Sequence, residues 1–169
     1  MKLTTEQLEH IEKLLDKSYL LNSKDRVKLK YTAPGVYDVR NHERGKVEIV
    51  NYSVNHTENE IVEYLSKLVD EDPLKMTTLH TIKYGLGSGL KEHNDKSTAT
   101  LVITLHSEVE EGGEFWLRGE HRTDFTQRGD YLFYNGGTDL HEVTEIKKGW
   151  RMVLVAWWHQ NKENIGTLI

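Results

Sequence analysis

The apolar residues near the start of the chain recur at the spacing of an amphipathic helix. Leu8, Ile11 and Leu15 share one helical face. Thr4 and Gln7 stand in front of them at the spacing of a capping box. We therefore predict that the first element is a helix that begins just after Thr4.

A second helical pattern follows His56. Thr57 and Glu60 repeat the capping spacing, and Pro73 bounds the end of the pattern. The apolar face of this helix is formed by Ile61, Tyr64, Leu65 and Leu68. Between the two helices, alternation of apolar and polar residues predicts strands in two segments, RVKLKYT and KVEIVNYSV.

From Thr77 onward the pattern changes to short β-type runs that glycine-rich turns separate. These runs are TTLHTIKY, TATLVITLH, GEFWLRG, DYLFYN, LHEVTEI and WRMVLVAWW. Many short strands at such spacing are typical of a sandwich or barrel. The pattern predicts an α+β fold, namely a β-sandwich of jelly-roll type braced by N-terminal helices. We expect one domain over residues 1–169, with helices and supporting strands in 1–76 and the jelly-roll core in 77–159.

Composition narrows the classes of partner. The chain of 169 residues has a net charge of −5 and no polybasic stretch, so we expect no nucleic-acid partner. It has no cysteine, which excludes disulfides and cysteine-ligated zinc. Charges throughout the N-terminus argue against a signal peptide, and the longest apolar run, MVLVAWW, is too short to cross a membrane. We expect a cytoplasmic protein without a membrane partner, and the sequence carries no signal for its oligomeric state.

His93 and Asp95 stand two residues apart, just before the run TATLVITLH. At the end of a strand, such a pair would point both side chains to one face, because side chains alternate along a strand. The pair alone is weak evidence for a metal site, since a solvated loop histidine beside an Asx-turn aspartate has the same spacing. A metal site needs at least one further ligand.

His141 supplies a candidate for that ligand, on a predicted strand after the turn at Gly136 and Gly137. Two neutral histidines and one carboxylate form the facial triad that suits non-haem Fe(II). Arg151 follows ten residues later on the next predicted strand. Its guanidinium would offer a planar, bidentate partner to a carboxylate.

Four segments of the chain occur in the order that is found in the Fe(II)- and 2-oxoglutarate-dependent oxygenases. They are TIKYGLGSGLKEHND, EEGGEFWLRG, RGDYLFYNGGTDLHEV and GWRMVLVAWW. In these segments the chain resembles the prolyl and lysyl hydroxylase-like branch of that superfamily, over residues 77–159. The resemblance implies a double-stranded β-helix, which is the cupin-like form of the jelly roll.

The resemblance also implies roles for individual residues. Fe(II) would be ligated by His93, Asp95 and His141. The 2-oxoglutarate would be bound by Arg151, with further contacts from Tyr84 and Thr104. Trp157 would line the pocket, although packing in a strand core is an equally good interpretation for Trp157 and for Tyr84.

The implied reaction is hydroxylation of an unactivated C–H bond, as in the prolyl 4-hydroxylases. Fe(II) is the implied metal, 2-oxoglutarate and dioxygen are the implied co-substrates, and ascorbate is a further candidate cofactor. The first substrate candidate is a prolyl side chain in a peptide or protein, followed by a lysyl side chain or a free amino acid. Nucleic-acid demethylation is less favoured, since that branch carries a second arginine where this chain has Trp157.

Two other classes of function remain open on the sequence. One is a cupin-like metalloenzyme that acts on a small molecule without 2-oxoglutarate. The other is a non-catalytic jelly-roll binding module. We expect the remaining histidines at surface or packing positions, namely His10, His42, His56, His80, His106, His121 and His159. The GLGSG segment at residues 85–89 does not match a phosphate-binding spacing and is expected to be a flexible loop over the site.

Overall fold

Two antiparallel sheets of five strands each form the body of the protein. The computed structural model describes residues 1–18, 36–38, 47–55 and 58–160. The predicted strand RVKLKYT lies outside these residues. No helix in the described part of the chain has the length and apolar character needed to cross a membrane.

The first helix, α1, spans Thr5–Lys17 and begins where the capping pattern predicted. The hydroxyl of Thr4 accepts a hydrogen bond from the Gln7 backbone N–H at 3.1 Å, and the Gln7 side chain accepts one from the Thr4 N–H at 2.9 Å. The predicted capping box is therefore confirmed. Because this box satisfies two backbone donors that the helix leaves unpaired, it sets the first residue of α1.

The second helix, α2, spans Glu60–Leu68 and begins later than predicted. Its N-cap is Asn59, whose side-chain oxygen accepts from the Val62 N–H at 3.4 Å. Thr57 lies outside the described residues, and Glu58 adopts a φ of 56°, which a helix does not tolerate. The predicted capping pair of Thr57 and Glu60 is therefore wrong, because the chain turns into the helix only after Glu58.

Twelve strands and one short 3₁₀ helix at Pro73–Lys75 complete the described elements. In chain order the strands are β1 Val36–Asp38, β2 Val47–Asn51, β3 Met76–Tyr84, β4 Ser88–His93, β5 Ser97–Ser107, β6 Glu111–Gly112, β7 Phe115–Leu117, β8 Glu120–His121, β9 Tyr131–Tyr134, β10 His141–Val143, β11 Ile146–Lys148 and β12 Arg151–Gln160.

The strand order confirms the predicted fold class. The sheet with the longer strands, here called the long sheet, runs β2-β3-β12-β5-β9, and the other, the short sheet, runs β1-β4-β10-β7-β8. Consecutive strands such as β4 and β5 lie in different sheets, so the chain winds from one sheet to the other. This is the jelly-roll or double-stranded β-helix arrangement, with two helices packed on its outside.

The long sheet is buried on both faces. Leu101 and Ile103 of β5 pack on the helix side with Leu8, Ile61 and Trp158. On the opposite face, the side chains that point toward the short sheet include Ile82, Val102, Val153 and Val155. Because successive side chains alternate, a strand that is buried on both faces has an almost continuous apolar sequence, as β5 does.

The GLGSG segment is not the flexible loop that the sequence predicted. Gly85 and Gly87 form a tight turn, in which the Ser88 hydroxyl donates to the Gly85 carbonyl at 2.6 Å. Ser88 and Gly89 already belong to β4 and are buried. The glycines therefore form the tight turn that carries the chain from β3 in the long sheet to β4 in the short sheet, and they allow close packing. The prediction failed because glycine is common both in tight turns and in flexible loops.

Trp158 anchors α2 to the long sheet. Its side chain is fully buried, and the indole N–H donates to the hydroxyl of the buried Ser66 at 2.9 Å. We predict that Ser66→Ala and Trp158→Phe each lower the free energy of unfolding by about 1–3 kcal/mol, because each leaves a buried polar group unpaired. Denaturant unfolding of both single variants and of the double variant measures this. The double variant should lose less than the sum of the two, and strict additivity would contradict the coupling.

Candidate active site

The sequence suggested that His93 and Asp95 lie together at the end of one strand, but in the structure they do not share a strand. His93 is the last residue of β4, whereas Asp95 lies in the crossover that leads to β5 in the other sheet. The backbone N–H of Asp95 donates to the Gly136 carbonyl at 2.7 Å, which holds the crossover against the loop before β10. The two side chains therefore converge through the path of the crossover and not through strand alternation.

His141 completes a close group of three potential ligands. It lies opposite His93 in the pairing of β10 with β4, and the two imidazole centroids are 4.3 Å apart. The Oδ1 atom of Asp95 lies 3.1 Å from Nε2 of His141 and 3.5 Å from Nε2 of His93. The three ligand atoms lie within 4.8 Å of one another, a spacing that could hold a metal ion.

Backbone carbonyls orient both imidazoles. Nδ1 of His93 lies 2.6 Å from the Lys91 carbonyl, and Nδ1 of His141 lies 2.8 Å from the Asp139 carbonyl. A carbonyl accepts hydrogen bonds only, so each Nδ1 carries the proton and donates. When a ring is neutral, its Nε2 therefore carries the lone pair and faces Asp95, which is the tautomer that a metal ligand requires.

Thr100 and Gly136 hold the carboxylate in place, and the sequence pointed to neither in this role. The Thr100 hydroxyl donates to Oδ2 of Asp95 at 2.7 Å, so Oδ1 is left for the two histidines. A Cβ at Gly136 would overlap Thr100 Oγ1 and Asp95 Oδ2. Glycine is therefore required at residue 136 by space. The alternation of threonines along β5 was the one available signal for Thr100.

The charges of the three residues are coupled. Burial opposes ionisation of Asp95, but the hydrogen bonds and positive charges of His141 and His93 outweigh it and hold the pKa of Asp95 well below its usual range. Burial likewise opposes protonation of His141, yet the hydrogen bond to Asp95 and its charge raise the pKa of His141. A metal cation bound between the three side chains would replace the proton that they attract.

Arg151 opens β12 and carries a buried positive charge. Its side chain is 2% exposed, and Nη1 and Nη2 donate to the Gly113 carbonyl and the Thr104 hydroxyl, both at 3.2 Å. The guanidinium carbon lies 4.6 Å from the centre of the Phe125 ring. Burial lowers the pKa of Arg151 to about 10, so the group stays charged at neutral pH. Within the described residues, Nε has no hydrogen-bond partner and no carboxylate forms an ion pair with Arg151.

Arg151 and the three candidate ligands line one cavity of about 540 Å³. Tyr84, the strand partner of Arg151, also lines it and is almost fully buried. Burial raises the pKa of Tyr84, so its phenol is neutral. Thr104 is not among the described lining residues, and it reaches this region through its hydrogen bond with Arg151. Trp157 lies on the cavity wall, where its indole Nε1 has no partner among the described residues.

His80 is the histidine whose position differs most from expectation. It lies on β3, is 9% exposed and lines the same cavity, with its ring 6.0 Å from that of Trp157. Burial lowers the pKa of His80 to about 4, so its imidazole is neutral at physiological pH. A single histidine in an alternating strand carries no spacing signal, and for that reason the sequence did not indicate its place in the cavity.

The other histidines of the described segments lie apart from this cavity. His106 stacks on Trp150 and His121 stacks on Trp116, in both cases at partly exposed positions. His10 packs edge to face on Tyr64 and is exposed. His42 and His56 lie outside the described residues.

Comparison with known proteins finds similarity at the level of structure. No protein-family model matches the chain, and no curated protein matches it. A prolyl 4-hydroxylase from Pseudomonas putida is 14% identical, with a TM-score of 0.57 over 90% of this chain and 87% of that one. An oxidoreductase of the 2-oxoglutarate–Fe(II) oxygenase family from Burkholderia pseudomallei is also 14% identical, with a TM-score of 0.57 over 94% and 84%. A viral collagen prolyl hydroxylase from Paramecium bursaria Chlorella virus 1, in complex with 2-oxoglutarate, is 15% identical, with a TM-score of 0.56 over 92% and 90%.

The structural similarity to these proteins, and not their low sequence identity, establishes the fold. The chain has a double-stranded β-helix fold similar to those of these two prolyl hydroxylases and of the 2-oxoglutarate–Fe(II) oxygenase family protein. The resemblance that the four sequence segments suggested is therefore confirmed at this level.

Thr100 offers a test of the candidate metal site that leaves all three candidate ligands in place. We predict that Thr100→Val weakens Fe(II) binding about tenfold to a hundredfold, because the Asp95 carboxylate loses the hydroxyl that orients it. Anaerobic Fe(II) titration measures the affinity. Thr98→Val, at an exposed residue of the same strand, is the matched control and should bind as the wild type does. Equal affinities for the two variants would contradict this role of Thr100.

Proposed function

We propose that this protein is an Fe(II)- and 2-oxoglutarate-dependent oxygenase that hydroxylates an unactivated C–H bond. The observation that carries the proposal is the buried charge of Arg151, which lines the same cavity as the His93, Asp95 and His141 group and lacks a carboxylate partner among the described residues. A metal site alone does not require such a cation. A co-substrate with a free carboxylate does.

The three candidate ligands fit Fe(II) by their chemistry. Two imidazole nitrogens and one carboxylate oxygen within 4.8 Å form a donor set that leaves part of the metal's coordination sphere open. Bound there, Fe(II) together with 2-oxoglutarate and dioxygen would supply the oxidising chemistry. The contribution of Asp95 is a fixed negative charge, and that of each histidine is an Nε2 lone pair held in orientation by a backbone carbonyl.

Arg151 fits the distal carboxylate of 2-oxoglutarate. A buried cation is costly unless it is paired, and here the hydrogen-bond partners of the guanidinium are neutral oxygens. Its Nε has no hydrogen-bond partner among the described residues. The charge of Asp130 acts on Arg151, but the two form no ion pair, so an anion in the cavity could bind the guanidinium. Thr104 would hold the guanidinium in position, and the neutral phenol of Tyr84 would add a hydrogen-bond donor on the same side of the sheet.

The charges on the wall favour an uncharged group as the site of oxidation. Among the described residues that line the cavity, Asp95 is the only carboxylate, and it is taken up by the candidate metal site. A lysyl ammonium would enter without a counter-ion, whereas a prolyl ring needs none. We therefore place a prolyl side chain in a peptide ahead of a lysyl side chain or a free amino acid. Ascorbate as a reductant and a cytoplasmic location stay predictions from the sequence.

The test of the co-substrate is an anaerobic titration with Fe(II) and then 2-oxoglutarate, followed by visible absorption. We expect a weak charge-transfer band that requires both additions. In Arg151→Gln, the 2-oxoglutarate concentration for half of the band should rise about 30-fold or more, because truncating one member of a buried charge pair costs roughly 2 kcal/mol or more.

Arg122→Gln is the matched control for this titration, since it removes a guanidinium that pairs with Asp124 away from the cavity. It should titrate as the wild type does. Thermal melting of both variants checks that they fold. Iron binding without the band in the wild type would favour the cupin-like alternative, and no iron binding would favour a non-catalytic binding module.

The substrate prediction is tested with three peptides that differ only at one central residue, which is proline, lysine or Nε-acetyl-lysine. We expect the prolyl peptide to gain one oxygen atom by mass spectrometry and the lysyl peptide to stay unmodified, because the cavity offers its ammonium no counter-ion. Faster oxidation of the lysyl peptide than of the prolyl peptide would refute the charge argument.

A further inference from the structure

Three uncharged polar side chains form a second feature of the cavity, here called the amide cluster and made up of Asn51, His80 and Trp157. Asn51 on β2 is the strand partner of His80 on β3, and Val155 on β12 is the partner of His80 on its other side. Trp157 follows Val155 by two residues, and its ring is 6.0 Å from that of His80. Three neighbouring strands therefore bring the cluster together on one wall.

The cluster has hydrogen-bonding capacity that the described residues leave unused. Asn51 is 6% exposed, and its side-chain NH₂ has no partner among them. The indole N–H of Trp157 is buried and is likewise without a partner in the described segments. An indole N–H can only donate, and a neutral imidazole such as that of His80 has one nitrogen that donates and one that accepts. Buried polar groups in folded proteins normally have partners, so unpaired donors on a cavity wall point to a ligand.

The cluster differs in chemistry from the rest of the cavity. Arg151 offers a full positive charge to one anion, and the candidate metal ligands offer a cation site. The amide cluster carries no charge at neutral pH, because His80 is neutral and the other two side chains do not ionise. A carboxylate would enter such surroundings without a counter-charge, whereas an uncharged carbonyl would pair with the free donors at little cost.

We propose that Asn51, His80 and Trp157 form a subsite that binds an uncharged amide group of the substrate. The substrate carbonyl accepts hydrogen bonds from the Asn51 NH₂ and the Trp157 indole, and the acceptor nitrogen of His80 takes the amide N–H. The protein therefore selects a residue within a peptide, or an amide, over a free amino acid with a carboxylate. This assignment rests on the proposed function for the identity of the substrate, and the geometry of the subsite does not depend on iron.

The experiment measures binding of two small probes to the metal-free protein by ligand-observed NMR. The probes are N-acetyl-L-prolinamide and N-acetyl-L-proline, which differ in that an uncharged amide replaces the carboxylate. In Arg151→Gln, which removes the cation that a probe carboxylate could otherwise meet in the cavity, we expect the amide to bind about tenfold more tightly or better, since the carboxylate would be desolvated without a partner. Equal or tighter binding of the acid, or no binding of either probe, would overturn the subsite. Tighter binding of the acid would point to Lys96, which lines the cavity, as its partner.

Two variants test the named donors separately. Asn51→Leu and Trp157→Phe keep most of the side-chain volume and remove one donor each. Each should weaken binding of N-acetyl-L-prolinamide about threefold to tenfold, as expected for one neutral hydrogen bond. Trp150→Phe is the matched control, because it removes an indole N–H that donates to Glu108 outside the cavity, and it should bind as the wild type does. Unchanged affinity in both test variants would overturn the assignment.

The outcome separates this inference from the proposed function. A preference for the amide that depends on Asn51 and Trp157 supports the subsite whether or not the charge-transfer band with Fe(II) and 2-oxoglutarate forms. If that band does not form, only the oxygenase proposal is refuted. A band that forms normally in a protein without amide preference overturns the subsite alone.

Discussion

The Asp95 carboxylate is the contact on which the arrangement of the site depends. One of its oxygens accepts from Thr100 on the long sheet, and the other faces His141 on the short sheet. Its backbone N–H is bonded to the Gly136 carbonyl. A single residue in a crossover therefore ties both sheets together at the point where three potential ligands meet. In a buried site such hydrogen bonds are strong and poorly replaced by water, so the position of Asp95 is rigidly determined.

The second constraint is Arg151, whose charge, unlike that of Asp95, has no ion-pair partner within the described residues. The fold keeps a guanidinium at 2% exposure with neutral hydrogen-bond partners, so that its charge remains available. Desolvation of an unpaired cation lowers stability. An anionic ligand would recover this loss on binding. The same cavity presents the candidate metal ligands, a fixed cation and the uncharged amide cluster on its wall. Under the two proposals, these three groups would bind a metal, the 2-oxoglutarate dianion and a neutral substrate.

Local features were predicted well where a local rule applies. The capping box of Thr4 and Gln7 is made by residues three apart, and the strands β3, β5, β7, β9, β10 and β12 follow from alternation and turn residues. The prediction of where α2 begins was wrong. Both Thr57 and Asn59 are residues that can cap a helix, and the non-helical backbone conformation of Glu58 leaves Asn59 as the cap. The strand β4 was missed because its first residues, Ser88 and Gly89, have the composition of a turn.

The sequence by itself determined which residue types were available for chemistry: a His-x-Asp pair, a distal histidine and a strand arginine in a fixed order. It also determined the fold class, since helical spacing and strand alternation are properties of neighbouring residues. Only the tertiary structure decided that Thr100 and Gly136 hold Asp95, and that Asn51, His80 and Trp157 share one wall. These contacts join strands far apart in the chain, and their distances depend on register and on the crossover between sheets, for which a single sequence carries no periodic signal.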